Sequence, residues 1–331
     1  MFQHPITFLT RCFPAKIRDR LWLTYNANDI IDGTGSQIQR ILSIHFLSRV
    51  IKCSYLHSEI EDLTVTQLDP FYEDHEIQKY ILELNDVFRI DSYPSAYLPL
   101  DKVRILVRKN ITSLNILSGL VWLTFHKKTN LVFRVTLPYK IVDKLNFDSS
   151  YFIRILQRLS AYHTKYFYDT TLVIHLRRGW GREIIAPGES SPRILPLSYY
   201  VEAIRFMLSH AQSCGIKIEK ILILTDAPHI PLKYKPPISQ LDRWDKNNFT
   251  DEHTFFDALP DEDLAAISNL PIEIIRGGNP LTAISIMSQS NFLILSRSSL
   301  GYLSALLNSN GAVLYPPKFW HRKQPHWLEM D

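Results

Sequence analysis

The sequence has 331 residues, 46% of them hydrophobic, so it predicts one large or two medium folded domains. Its net charge of +4 suits an anionic small ligand and is too weak to indicate a nucleic-acid-binding protein. The three cysteines, Cys12, Cys53 and Cys214, lie far apart, which argues against a disulfide framework. The N-terminal stretch contains no apolar run long enough for a signal peptide or a membrane anchor, so we expect a cytoplasmic protein without a transmembrane segment.

The N-terminal half predicts a glycine turn, a helix and a strand in that order. After "DGTGSQ", apolar residues recur at helical spacing over 38–50, and "IKCSYLH" at 51–57 has the pattern of a short strand. We further expect an irregular acidic stretch over about 60–100, strands at 103–107 and 131–137, and a helix over 146–167. This alternation is typical of an α/β layer.

The C-terminal half has a clearer alternation of elements. Five strands are predicted, at 171–176, 220–225, 272–275, 291–296 and 312–316. Helices are predicted over 198–213 with Ser198 as its N-cap, over 280–289 after Pro280, and over 299–308. Residues 230–268 predict a long charged loop. Strands that alternate with helices predict a parallel sheet in an α/β fold, with a boundary between the halves near 165–170.

Charged residues follow the first of these strands. In "LVIHLRRGWG", His175, Arg177 and Arg178 lie where the strand ends, and ligands of open α/β sheets bind beyond the carboxyl ends of strands. Arginine matches phosphate oxygens in fork geometry, and neighbouring residues alternate in direction, so we expect at most one of the two arginines in the crevice. The alternative is that both are ordinary strand-end charges paired with Glu or Asp.

Two further strand ends carry polar residues. Asp226 follows the strand at 220–225 and could accept hydrogen bonds from a base or ribose, or cap the next segment. Ser298 and Ser299 lie at the start of the last helix, where backbone N–H groups and the helix dipole favour an anion. The simpler interpretation of these serines is an N-cap. Three polar strand ends at one sheet edge together predict a ligand with a diphosphate.

Two further patterns are weaker. Gly33 and Gly35 in "DGTGSQ" lack the spacing of a dinucleotide or triphosphate signature, but they would permit close backbone approach to a ligand bound between two domains. "DED" at 261–263 resembles the D-x-D metal motif of some glycosyltransferases, and a solvated loop is the simpler interpretation.

The motifs, taken in order, resemble the α-1,2- and α-1,6-fucosyltransferases and protein O-fucosyltransferases that use GDP-fucose. They are "GTGSQ" at 33–37, "HLRRG" at 175–179, "LTDAP" at 224–228 and "IMSQSNFLILSRSSLGYLSALLN" at 286–308. Two positions depart from the family: Trp180 stands where an acidic residue is usual, and Ala283 where the α-1,6 branch commonly has Asp.

The resemblance implies a GT-B-like architecture, with two Rossmann-like domains and a cleft between them. Residues 1–167 would face the acceptor and residues 168–331 would hold the nucleotide sugar, without a metal or other cofactor. Arg177 would contact the diphosphate, His175 and Asp226 would lie near the nucleoside, and Ser298 and Ser299 would hold phosphate. Gly33, Gly35 and Arg178 complete the expected donor-binding set.

The expected chemistry is an inverting transfer of fucose from GDP-fucose to a glycan hydroxyl, in polysaccharide or lipopolysaccharide synthesis. Arg177 would stabilise the leaving diphosphate, and Glu183 would act as the general base, with Glu189 as a second candidate. Either glutamate could instead be a solvated loop residue. The alternatives are a non-catalytic glycan- or nucleotide-binding relative, an enzyme for a different nucleotide sugar, and a manganese enzyme that uses "DED".

Overall fold

The computed structural model describes residues 12–25, 32–63, 74–90, 102–138, 149–162, 169–177, 194–225 and 269–330. The chain divides into two compact units, each of which contains one sheet. The first unit comprises Met1–Asp32, Ser36–Leu63 and Phe88–Asn146, and the second comprises Gly33–Gly35, Thr64–Val87 and Phe147–Asp331. The boundary at residue 167 and the acceptor and donor roles of the two halves stay predictions.

Nine strands form the two sheets within the described ranges. They are β1 (Leu21–Tyr25), β2 (Ser54–Leu56), β3 (Val103–Arg108), β4 (Asn130–Val135), β5 (Thr171–Leu176), β6 (Lys220–Thr225), β7 (Ile272–Arg276), β8 (Phe292–Ile294) and β9 (Ala312–Leu314). The first sheet has the order β2-β1-β4-β3 and the second the order β7-β6-β5-β8-β9. All neighbours pair in parallel, which confirms the predicted α/β class.

Eight α-helices accompany the strands in the same ranges. They are α1 (Ala15–Arg18), α2 (Thr34–Ile51), α3 (Asp74–Val87), α4 (Ser113–Phe125), α5 (Ser149–Leu159), α6 (Leu197–Ser213), α7 (Pro280–Gln289) and α8 (Ser299–Leu307). A short 3₁₀ turn, Ser160–Tyr162, continues α5. None of the helices so described combines the length and the apolar character needed to cross a lipid bilayer.

The N-terminal predictions need several corrections, and helices α1 and α4 were not predicted. Strand β1 was not predicted, although its five residues are buried and it lies between β2 and β4. The stretch over 60–100, expected to be irregular, contains helix α3, whose buried Ile77, Ile81 and Leu84 recur at helical spacing among acidic residues. The strand expected at 51–57 is shorter, because α2 continues through Ile51 and the chain turns at Lys52, which has a φ of 57°.

The five strands predicted for the C-terminal half are all present, but the start of α6 differs. The N-cap is Pro196 and the helix begins at Leu197, so Ser198 lies in the first turn and does not cap it. The ring of Pro196 fixes its φ at −64°, and its ψ of 156° places it outside the helix. The sheet core includes Leu172, Ile174 and Ile223, which are buried because β5 and β6 lie inside the sheet.

The strand order of the second sheet determines where a ligand can bind. From the central strand β5 the chain moves outward through β6 and β7 on one side, then returns to form β8 and β9 on the other. Helices after β5 and β8 therefore depart from opposite sides, which opens a crevice at the carboxyl ends of these strands. The residues that follow β5 and β8 are the ones placed to meet a ligand.

Candidate functional site

A pocket lies at the carboxyl edge of the second sheet, and all its lining residues belong to the second unit. Four parts of this unit build it: the end of β5, the end of β6, the stretch from the end of β7 into α7, and the start of α8. His175 and Arg177 line it from β5, and Ser298 and Leu300 from α8. Two of the polar strand ends singled out in the sequence are thus brought together around one pocket.

His175 occupies the inner wall of this pocket. It is 8% exposed, and its Nδ1 lies 2.6 Å from the hydroxyl of Ser296, the second residue after β8. Burial, and to a smaller extent the nearby charge of Arg177, lower the pKa of His175 to about 3. The imidazole is therefore neutral at physiological pH, and His175 contributes hydrogen bonding but no positive charge.

Arg177 supplies the charge that His175 lacks. It lies one residue beyond β5, is 6% exposed and lines the pocket. A buried guanidinium is retained where it has hydrogen-bonding partners, and its fork geometry matches diphosphate oxygens. The prediction that at most one of the two arginines enters the crevice stays open, because Arg178 lies outside the described residues.

The start of α8 shows how its two serines are used. The Ser298 side chain caps the helix, since its hydroxyl accepts a hydrogen bond of 3.2 Å from the Leu300 N–H, as the simpler interpretation held. Ser298 is buried and lines the pocket, whereas Ser299 is the first helical residue and is half-buried. The positive end of the α8 dipole thus lies at the pocket rim.

Two positions near the start of α8 leave little room for a side chain, and both are glycines. A Cβ atom on Gly35 would lie 2.5 Å from the Ser299 carbonyl carbon and closer still to the Leu300 nitrogen. The sequence predicted that Gly35 admits a ligand; its nearest neighbour is instead the backbone of α8. Gly301 has a related role, because a Cβ there would lie 3.0 Å from Nδ1 of His175.

The turn between β7 and α7 forms an apolar wall that the sequence analysis did not assign to the site. Ile275, Pro280, Ala283 and Ile286 line the pocket from this side. Gly278 allows the turn, because its φ of +82° is strained for other residues. The signal that could have revealed the wall is "GGNP" at 277–280, a turn followed by a helix start.

Asn279 fixes the geometry of that turn. Its side-chain oxygen accepts the Leu281 N–H at 2.8 Å and so caps α7, while its Nδ2 donates to Glu83 of α3 at 3.1 Å. The same residue therefore holds the pocket wall at the helix start and ties it to a second helix of the same unit.

The motif "GTGSQ" contributes buried polar contacts in the first unit. Gln37 and Arg40 of α2 are buried, and both bind the hydroxyl of Tyr25, the last residue of β1. Arg40 also forms an ion pair with Asp32. Sequence reasoning singled out the glycines here and missed Arg40, a charged residue within an apolar helical run, which was the available signal.

Several predicted residues lie outside the described ranges. They are Arg178, Trp180, Glu183, Glu189, Asp226 and the "DED" stretch at 261–263. Their predicted roles stay predictions. Within the ranges that the structure describes, no group of three or more His, Cys, Asp and Glu side chains is placed to hold a metal ion.

The chain has low sequence identity to the known proteins that it matches. No protein-family model and no curated protein matches the chain. Among solved structures it is similar to POFUT1 in complex with GDP, with a TM-score of 0.43 and 11% identity over 89% of this chain and 96% of that one. The E. coli heptosyltransferase WaaC with ADP matches with a TM-score of 0.38 and 9% identity, over 93% and 92%.

A third solved structure is NodZ alpha-1,6-fucosyltransferase soaked with GDP-fucose, with a TM-score of 0.29 and 11% identity over 87% of this chain and 92% of that one. Similarity at these TM-scores identifies neither the reaction nor the ligand of this protein.

Proposed function

We propose that this protein is a glycosyltransferase that binds the nucleoside diphosphate of its sugar donor in the second unit. The observation that carries the proposal is the shared pocket: the buried guanidinium of Arg177, the first turn of α8 and an apolar wall from α7 surround one space. The guanidinium and the helix start suit a diphosphate, and the apolar wall suits a flat base or a sugar ring.

The two electropositive features suit the chemistry of the leaving group. When a sugar is transferred, negative charge develops on the departing diphosphate, and fixed donors aimed at it lower the barrier. Arg177 offers a guanidinium that stays charged, and the α8 N-terminus offers an oriented dipole. Because both are built into the end of a sheet, little reorganisation is needed at the moment of transfer.

We assign GDP-fucose as the donor and a glycan hydroxyl as the acceptor, with inversion in a single displacement. This assignment rests on the resemblance of the ordered motifs and on the positions of His175, Arg177 and Ser298 around the pocket. Glu183 is the proposed general base, and no metal is required because Arg177 and α8 stabilise the leaving group.

One observation favours a different donor or a non-catalytic relative. Ala283 lines the pocket, and the motif resemblance implies an aspartate at this position in the α-1,6 branch. A wall without that carboxylate would bind a different base or sugar, or bind a nucleotide without turnover. A donor panel separates these possibilities.

The test of the proposal is a thermal-shift and donor-hydrolysis panel with GDP-fucose, GDP-mannose, ADP-sugars and UDP-sugars. We expect GDP-fucose to stabilise the wild type selectively and to be hydrolysed slowly. Arg177→Ala should weaken donor binding by about 2–3 kcal/mol, because a charge-assisted hydrogen-bond pair is lost. Arg177→Lys should retain part of the binding, since it keeps the charge without the fork.

The matched control is Arg205→Ala, which removes an exposed arginine on α6 away from this pocket and should leave donor binding unchanged. Unfolding of each variant without nucleotide distinguishes lost binding from lost folding. Selective response to another nucleotide sugar would replace fucose in the proposal. Absence of any response, with the protein folded, would reject the glycosyltransferase function.

A further inference from the structure

Helix α4 of the first unit is apolar on two opposite faces. Its inner face, formed by Ile116, Leu120 and Leu123, is buried. Its outer face carries Leu114 and Phe125, which are 74% and 78% exposed, together with the exposed Val121.

The outer residues form one stripe along the helix. Leu114 and Val121 are seven positions apart and Phe125 follows four positions later, so all three project from the same side. The exposed Ser118 interrupts this side, but a helix that presents large apolar side chains on two opposite faces is normally covered on both. The stripe therefore needs a partner, and its surroundings indicate which one.

The segment of the chain that carries the stripe is cationic. The whole segment 102–138, which includes β3, α4 and β4, contains no aspartate or glutamate, and its lysines and arginines are Lys102, Arg104, Arg108, Lys109, Lys127, Lys128 and Arg134. The Arg104 guanidinium lies 5.2 Å from the centre of the Trp122 ring on α4. Lys127 and Lys128 are exposed directly after the helix end.

A further arginine lies at the C-terminal end of α4. Arg20 donates hydrogen bonds of 2.7 Å to the carbonyl oxygens of Leu123 and His126. Cations there are favoured by the negative end of the helix dipole, so the positive rim is part of the local structure.

An apolar stripe with a cationic rim fits one kind of surface. A nucleic acid would use the cations and stack on Phe125, but it would leave the aliphatic Leu114 and Val121 without a partner. A second copy that used this same face would bring two cationic rims together. An anionic lipid surface satisfies both features, since acyl chains cover the apolar side chains and headgroups pair with lysine and arginine.

The length of the helix determines how it would bind. Its 13 residues extend about 20 Å, which is shorter than the roughly 30 Å hydrocarbon core of a bilayer. We propose that α4 lies in the headgroup region of an anionic membrane, with Leu114, Val121 and Phe125 inserted and Arg104, Lys127 and Lys128 on the headgroups. This inference does not rest on the proposed enzymatic function.

The experiment is flotation of the full chain with vesicles of phosphatidylcholine alone or mixed with phosphatidylglycerol. We expect the protein to float with the phosphatidylglycerol vesicles and not with phosphatidylcholine alone. Binding should weaken between about 0.1 M and about 0.5 M salt, because the attraction of the rim is screened.

Two double variants separate the apolar stripe from the charge. Leu114→Ser with Phe125→Ser should reduce partitioning at least roughly tenfold, because two large apolar side chains no longer insert. Lys127→Glu with Lys128→Glu should reduce partitioning onto the anionic vesicles by at least roughly fivefold for each lysine. The matched controls are Leu82→Ser and Lys79→Glu on α3, both exposed and outside the first unit; they should bind as the wild type does.

Three results would overturn the proposal, provided that the variants unfold at the wild-type temperature. The first is failure of the wild type to float, or equal flotation with both lipid mixtures. The second is a loss of binding in the lysine variant with none in the Leu114/Phe125 variant, which would indicate contact through charge alone. The third is a wild-type dimer that the Leu114/Phe125 variant converts to a monomer, which would make a second copy the partner.

Discussion

His175 shows how position decides what a side chain can do chemically. A histidine at the surface titrates near neutral pH, but burial under α8 and the charge of Arg177 lower its pKa to about 3. The ring is therefore a neutral hydrogen-bonding group that binds Ser296. The sequence predicted His175 and Arg177 as a pair at a strand end, but it could not predict that only one of them carries charge.

This pKa predicts how stability depends on pH. Below about pH 6.5 the unfolded chain binds a proton at His175 while the folded chain stays neutral down to about pH 3, so acid favours unfolding. The free energy of unfolding should fall by about 1.4 kcal/mol per pH unit in that window from this group alone. His45 adds to the same trend, because burial lowers its pKa to about 4.

The measurement is urea unfolding at several pH values between about 7.5 and 4 for the wild type and His175→Gln. Glutamine keeps a polar partner for Ser296 but does not titrate, so its stability should depend less steeply on pH. His326→Gln, at an exposed histidine, serves as the control. Parallel curves for the wild type and His175→Gln would contradict the assigned burial of His175.

At the scale of elements, local pattern and tertiary packing contribute differently. The strands β5 and β6 were predicted at their observed bounds, because continuous apolar runs between polar turns leave little choice. Helix α4 was not predicted, since its residues are apolar on both faces and show no amphipathic period. Strand β1 was missed because a short buried run resembles part of a helix.

The contact between Gly35 and α8 predicts a difference between two glycine substitutions. Gly35→Ala should destabilise the protein by at least about 2 kcal/mol, because its methyl group meets backbone that cannot rotate away. This exceeds the gain of about 1 kcal/mol that alanine brings inside a helix. Gly301→Ala should cost less stability but weaken nucleotide binding, since its neighbour is the His175 ring.

Urea unfolding and nucleotide titration of both variants test this. If Gly35→Ala is as stable as the wild type, the backbone approach at Ser299 and Leu300 is wrong. If Gly301→Ala binds nucleotide as the wild type does, the His175 ring does not contribute to nucleotide binding.

For the whole molecule, the proposed function predicts linkage between nucleotide binding and stability. GDP at about one hundred times its dissociation constant should raise the free energy of unfolding by about 2.7 kcal/mol. A chelator should not change this stabilisation, because Arg177 and the N-terminus of α8 are proposed to bind the diphosphate in place of a metal ion. Thermal unfolding with GDP, with and without EDTA, provides the measurement, and stabilisation that EDTA abolishes would reject a metal-independent site.

The sequence by itself determined the α/β class, the strands of the second sheet and the polar residues at their ends, because each of these depends on neighbours a few positions away. Only the tertiary structure decided that β5 pairs with both β6 and β8, and this pairing brings His175 to Ser296 across 121 positions of the chain. It also decided the apolar wall from α7 and the contact of Gly35 with α8. Strand order and helix packing depend on long-range contacts that leave no local pattern, so the pocket could be assembled only once the sheet was in place.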